Sequence, residues 1–137
     1  MLKYNIDLNG KTVLVTGAAG FIGSNLVKRL LNEYSQIHVI GIDSMTDYYD
    51  VNIKKERLQE IKKSLDVIVS QESELSEDEV ETGTYTNQRG NVWTFIHDSI
   101  ANNDAIDRVF KTYRPDVVVN LAAQAGVRYS ITNPDAY

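Results

Sequence analysis

Cysteine is absent from the 137 residues, which excludes disulfides and thiolate metal sites and suits a reducing compartment. A basic surplus is missing too. There are 14 Lys and Arg against 19 Asp and Glu, a formal charge of −5, so nothing attracts nucleic acid electrostatically. Six of the acids (Glu72, Glu74, Glu77, Asp78, Glu79 and Glu81) share one stretch with no basic residue. Without them the count is 14 basic to 13 acidic, so the acidity belongs to a segment rather than to the fold. No apolar run approaches the roughly 18–20 residues that span a bilayer. The opening "MLKYNIDLNGKTVLVTG" lacks the apolar core of a signal peptide, and cytoplasmic is the expected location. The two histidines, His38 and His97, have no metal or triad partner in view, so structural roles are expected of them.

What is present reads as one domain of ordinary composition, 42% hydrophobic and 24% charged, with room for one core but not two. Residues 12–16, "TVLVT", have the β-branched apolar character of a strand buried on both faces. The glycine turn "GAAG" follows, then "FIGSNLVKRLLNEY", where Ile22, Leu26, Val27, Leu30 and Leu31 recur at helical spacing. A second strand is expected at 37–42, "IHVIGI". A helix over roughly 53–66 would place Ile53, Leu58, Ile61 and Leu65 on one face. Residues 70–91 are acidic, rich in Ser and Thr and without sustained period, and read as a mobile loop insertion. "VWTFI" (92–96), a helix at 102–113 and "PDVVVNLAA" (115–123) complete the pattern. The order βαβαβαβ predicts an α/β, Rossmann-like parallel sheet with helices on both faces, left incomplete by four strands in 1–137.

"TGAAGFIG" thus stands between a strand and a helix. Gly17 can supply the turn's backbone angles, Gly20 lets a pyrophosphate approach the main chain, and Gly23 lets the helix approach the strand. Free N–H groups around Phe21 and Ile22 would face the phosphates, helped by the helix dipole. Asp43 ends the second strand twenty residues beyond Gly23. A carboxylate there accepts from the ribose hydroxyls of NAD and repels a 2′-phosphate. A triphosphatase loop is excluded, since no Gly-Lys-Ser/Thr closes the turn.

Three blocks, "VLVTGAAGFIGSNLVKRLL", "GIDSMTDYYDVNIKKERL" and "VVNLAAQAGVRYSITNPDAY", resemble the extended short-chain dehydrogenase/reductases. Within them the nucleotide-sugar epimerases, UDP-glucuronate 4-epimerases above all, are the nearest in pattern. The resemblance covers nearly everything except 70–91. It implies an NAD-dependent isomerase of carbohydrate metabolism that moves a hydride transiently from carbon 4 of a nucleotide sugar to NAD.

Carried across, Gly17, Gly20, Phe21, Ile22 and Gly23 would surround the pyrophosphate. Asp43, with Ser44 and Thr46, would meet the adenosine ribose. Leu121, Ala122, Ala123 and Ala125 would line the cofactor's middle and nicotinamide side, while Gln124 and Arg128 are candidate substrate contacts. The family's Asp-Ile or Asp-Leu pair after the third strand is altered: Ser99 and Ile100 stand there by position, and Asp98 comes one residue early.

The family's base is a Tyr with a Lys four residues on, which lowers the phenol pKa. The residues four beyond the tyrosines here are Leu8, His38, Asn52, Ile53, Arg89, Val117 and Asn133, and Tyr137 is last. None is Lys. Tyr85 with Arg89 is nearest, but Arg is a poor substitute. The expectation is therefore a cofactor-binding N-terminal segment, with no catalytic residue and no metal, that is inactive alone and self-associates through an exposed sheet edge. A non-catalytic NAD-binding or assembly module, or a dehydratase or reductase fragment, is the alternative.

Overall fold

A computed structural model describes residues 7–45, 51–65, 69–72, 83–98 and 101–122. Strand β1 (Thr12–Thr16) leads to helix α1 (Phe21–Glu33), β2 (His38–Asp43) and α2 (Val51–Leu65). Then come β3 (Val69–Glu72), β4 (Gly83–Thr86), β5 (Val92–His97), α3 (Asn103–Tyr113) and β6 (Val117–Asn120). These strands form one sheet in the order β3-β4-β5-β2-β1-β6. The four strands expected from sequence, β5-β2-β1-β6, pair in parallel, with Leu14 opposite both Ile40 and Val118.

Alternation along these strands gives the sheet two apolar faces. Val13, Val15, Val39, Trp93 and Phe95 pack with Val27, Leu30 and Leu31 of α1 and Leu58, Ile61 and Leu65 of α2. Leu14, Ile40 and Ile42 pack beneath Val109 of α3. Helices on both faces follow as expected.

The sheet itself is mixed, which corrects the expectation of a wholly parallel one. Part of the stretch read as a loop, 70–91, is strand: β4 runs antiparallel to β5, and β3 antiparallel to β4. Thr84, Tyr85 and Thr86 are good strand formers once a partner edge is offered, and β5 offers one. Tyr85 is buried on the α2 side, with Lys62 over its ring. Residues 73–82 lie outside the described residues.

The turn from β4 to β5 also holds α1. Helices leave their last carbonyls without intrahelical donors. Here Arg89 donates to the carbonyls of Leu31 and Asn32, and Asn91 Nδ2 to those of Leu31 (2.7 Å) and Tyr34 (2.9 Å). Asn91 Oδ1 accepts from the Ile37 amide, so one side chain joins the helix end to the approach to β2.

Two residues placed on core faces by periodicity, Ile22 and Ile53, are exposed, as is Phe110 in α3. The first two lie in the opening turns of their helices, beyond the sheet they would have to cover. β6 is less buried than expected, alternating between half-buried and exposed, because β1 is its one partner among the described residues.

Candidate functional site

The carboxyl ends of β2, β1 and β6 lie side by side. From β1 the chain crosses to β2 on one side, and β6 pairs on the other. Doubly wound sheets open a crevice at such a reversal. The glycine turn fills its floor. Gly17 has φ +69°, a left-handed conformation that glycine adopts without strain. Its N–H and that of Ala18 donate to the Ile42 carbonyl, at 2.8 and 3.2 Å, fastening the turn to the end of β2.

The three glycines do different work. A Cβ on Gly17 would lie 2.9 Å from backbone atoms of Leu121 and Ala122, so its absence lets β6 end against the turn. A Cβ on Gly23 would overlap the Gly17 carbonyl oxygen, so its absence seats α1 on the turn. A Cβ on Gly20 would meet only the Gly17 oxygen, at 3.2 Å, leaving its outer side open.

Gly20 caps α1 with no side-chain hydrogen bond, and no acidic residue stands in the first turn. The earliest helical bond comes from Ser24, whose N–H reaches the Gly20 carbonyl at 2.9 Å. The N–H groups of Phe21, Ile22 and Gly23 precede it and have no intrahelical acceptor. The positive end of a 13-residue helix is thus left for an external anion. The side chains of Phe21 and Ile22 are 70% and 67% exposed; their main chain faces the turn.

Asp43 is buried at the end of β2. Its Oδ2 accepts from the Ala19 amide at 3.0 Å, and its Oδ1 from the Met45 amide at 2.8 Å and Lys54 Nζ at 2.9 Å. The carboxylate therefore does a structural job in the glycine turn, and among the described residues Oδ2 holds a single donor, fewer than it can accept. Lys54 was not anticipated. It stands near the start of a helix read only for its apolar face, and only the fold brings it within reach of a residue eleven positions earlier. Arg57, one turn further along α2, donates to the Ala19 carbonyl at 3.3 Å and lies over the Phe21 ring.

Thr16 is a second residue that sequence reasoning missed. Its hydroxyl donates to Asn120 Oδ1 and accepts from the amides of Leu121 (3.0 Å) and Ala122 (3.2 Å). This ties the end of β1 to the chain leaving β6. A hydroxyl residue beside the first glycine was the available signal.

Gly17, Gly20, Phe21, Ile22, Gly23, Asp43, Leu121 and Ala122 lie together at the carboxyl ends of β1, β2 and β6. Ser44 is exposed beside Asp43, its carbonyl bonded to His97 Nε2 at 3.0 Å. Thr46, Ser99, Ile100, Ala123, Gln124, Ala125 and Arg128 lie outside the described residues. Asp98, the alternative to Ser99, sits next to the site: its N–H donates to the Asp43 carbonyl at 3.1 Å, and its Oδ1 accepts from Asn102.

Tyr85 and Arg89 belong to the far, amino end of β5, engaged with α2 and α1. His38 opens β2, bonded to Thr94 Oγ1 at 2.8 Å and edge-on to Tyr113, and burial lowers its pKa from the usual 6.5. No metal-holding cluster occurs among the described residues.

The fold recurs among solved proteins. The fold matches dTDP-glucose 4,6-dehydratase from Bacillus anthracis in complex with NAD, at TM-score 0.58 and 25% identity, covering 92% of this chain and 29% of that one. Among curated relatives, protein CapI of Staphylococcus aureus is 41% identical over 125 residues, 91% of this chain and 29% of its own length. A protein named probable UDP-glucuronate 4-epimerase from Rhizobium meliloti is 36% identical over 124 residues, covering 90% of this chain and 28% of its own. The chain thus spans less than a third of the length of the relatives it matches. From Val13 to Tyr137, glycine turn, Asp43 and β6 included, it matches one family model, and it belongs to the NAD dependent epimerase/dehydratase family.

Proposed function

We propose that this chain is the NAD-binding segment of a nucleotide-sugar 4-epimerase acting on UDP-glucuronate or a close analogue. One observation carries the cofactor reading. The uncapped first turn of α1 and the buried carboxylate of Asp43 are joined through the Ala19 amide at 3.0 Å. An anion acceptor and a hydroxyl acceptor therefore sit side by side, as a dinucleotide requires.

In this reading the amides of Phe21 and Ile22 hold the pyrophosphate. Asp43 accepts from a ribose hydroxyl with its remaining lone pair, and Lys54 donates to the neighbouring hydroxyl. Gly17, Leu121 and Ala122 form the apolar wall leading to the nicotinamide, continued by Ala123 and Ala125. Bound NAD would supply a reversible hydride acceptor for carbon 4 of the sugar. Ser44, Thr46, Ser99, Ile100, Gln124 and Arg128 keep the roles implied by the family resemblance.

No tyrosine in the chain has Lys four residues later, which supports an inactive isolated segment. The same fact favours the second reading, a non-catalytic NAD-binding module. We also propose that β6, open on one edge among the described residues and with Val118 47% exposed, pairs with a second copy of the chain.

Titration with NAD tests the cofactor reading: saturable binding is expected, and none at millimolar NAD refutes it. Turnover of UDP-glucuronate by residues 1–137 would overturn the claim that the base is missing.

A further inference from the structure

Two peptide units meet at Ala19, and both are gripped from outside the turn. Asp43 Oδ2 accepts its N–H at 3.0 Å, and Arg57 donates to its carbonyl at 3.3 Å. The two grips share a root. Lys54 holds Asp43 at 2.9 Å, and Lys54 and Arg57 are three residues apart on α2, hence on one face. The next turns of that face, Leu58, Ile61 and Leu65, are buried in the core. Helix α2 is therefore an anchored bar with two cationic arms, Arg57 on the glycine turn itself and Lys54 on Asp43, which holds the turn.

The Ala19 carbonyl matters because it belongs to the peptide entering Gly20, the residue with the widest backbone freedom in the turn. If that peptide rotated, its carbonyl oxygen would turn toward the Gly17 carbonyl, where the Gly20 N–H now points, and the amides of Phe21 and Ile22 that follow would lose their present orientation. Two bonds oppose this rotation: the Gly20 N–H to the Gly17 carbonyl, 3.0 Å, and Arg57 to the Ala19 carbonyl. The Arg57 guanidinium also lies 5.8 Å from the centre of the Phe21 ring. Its planar group can rest on the ring while donating sideways, which an ammonium cannot do.

We infer that Arg57 is a positioning residue for the pyrophosphate. It orients the main chain of residues 19–22 and touches neither the sugar nor the reacting carbon. The assignment rests on the proposed cofactor reading and goes beyond it, because it names α2 as the element that sets the turn's geometry. It predicts a split between ligands. Adenosine uses the Asp43 side of the crevice alone, whereas ADP and NAD also need the amides.

The test is titration of the whole chain with adenosine, ADP and NAD, followed by amide NMR shifts, for wild type, Arg57→Gln, Arg57→Lys and Phe21→Ala. Arg57→Gln should weaken ADP and NAD about three- to tenfold, the range of one ordinary hydrogen bond, and leave adenosine unchanged. Without ligand, the amide signals of Phe21 and Ile22 should already shift. Arg57→Lys should fail to restore ADP affinity. Phe21→Ala changes an exposed ring that the core does not need, and should show the same split with smaller size; it decides the matter if Arg57→Gln does not fold. Equal loss of adenosine and ADP, unchanged ADP binding, or full rescue by Lys would overturn the assignment while leaving the cofactor reading intact. Wild type that binds neither ADP nor NAD would sink the cofactor reading, and this assignment with it.

Discussion

Asn91→Ala isolates the bond between the hairpin turn and the end of α1. The side chain is fully buried and makes three hydrogen bonds: to the Leu31 and Tyr34 carbonyls and from the Ile37 amide. The Leu31 carbonyl keeps a second donor in Arg89 at 3.1 Å. The Tyr34 carbonyl and the Ile37 amide are the groups the substitution strands. A buried polar group without a partner costs about 1–3 kcal/mol, so two of them predict a loss of about 2–6 kcal/mol. That is a large share of the roughly 5–15 kcal/mol that holds a typical domain folded. Trp93, the single tryptophan, is buried in the α1–α2 core and reports unfolding by fluorescence. Urea titration should give a markedly lower midpoint for Asn91→Ala. Arg89→Ala, whose acceptors are partly exposed or shared, should cost about 1 kcal/mol. A loss under about 1 kcal/mol for Asn91→Ala would refute the reasoning, as would a larger loss for Arg89→Ala. Either result would mean that water serves these groups as well as the turn does.

Five further outcomes are expected. Gly23→Ala puts a methyl against the Gly17 carbonyl; backbone cannot step aside, so it should cost about 3 kcal/mol and abolish NAD binding in calorimetry. Gly10→Ala, with φ +73° but nothing within 4 Å, should cost only about 1 kcal/mol of strain and leave NAD binding intact. Lys54→Met breaks a pair whose side chains are 12% and 4% exposed, so about 3 kcal/mol, the low end for a buried pair, should be lost from the urea-derived stability; NAD affinity should fall with it. For His38, burial lowers the folded-state pKa below 6.5, so under pH 6.5 the unfolded chain binds the extra proton. Stability from this site is then whole above pH 6.5 and declines as pH falls toward the folded value, and His38→Gln should flatten the urea midpoint between pH 7.5 and 5.5. Light scattering should detect species larger than the monomer, and a strictly monomeric chain would count against pairing through β6.

Much of the fold could be read before any coordinates. β1, β2, β5 and β6 are short apolar runs with turn residues between them, and α1, α2 and α3 follow helical spacing, because each buries a face in one core. The cradle was legible for a related reason. Gly17 is demanded by its positive φ and Gly23 by the Gly17 carbonyl packed against it, and Asp43 stands at a strand end. The β3–β4 hairpin was not legible. Its Thr, Tyr and Gly residues form strands only when β5 lends an edge, and the acidic residues between them hid the alternation.

Sequence alone determined the class of the protein, a doubly wound nucleotide-binding segment, and the lack of a Tyr-Lys pair in it. Both are properties of neighbouring residues or of simple counting. Only the tertiary structure decided what the carboxylate of Asp43 touches, Lys54 included, that Arg57 reaches back to the glycine turn, and that Asn91 closes the end of α1 from sixty residues away. These are contacts of side chains with groups distant in sequence. No period or spacing encodes them, because they exist only once separate elements have packed on the same core.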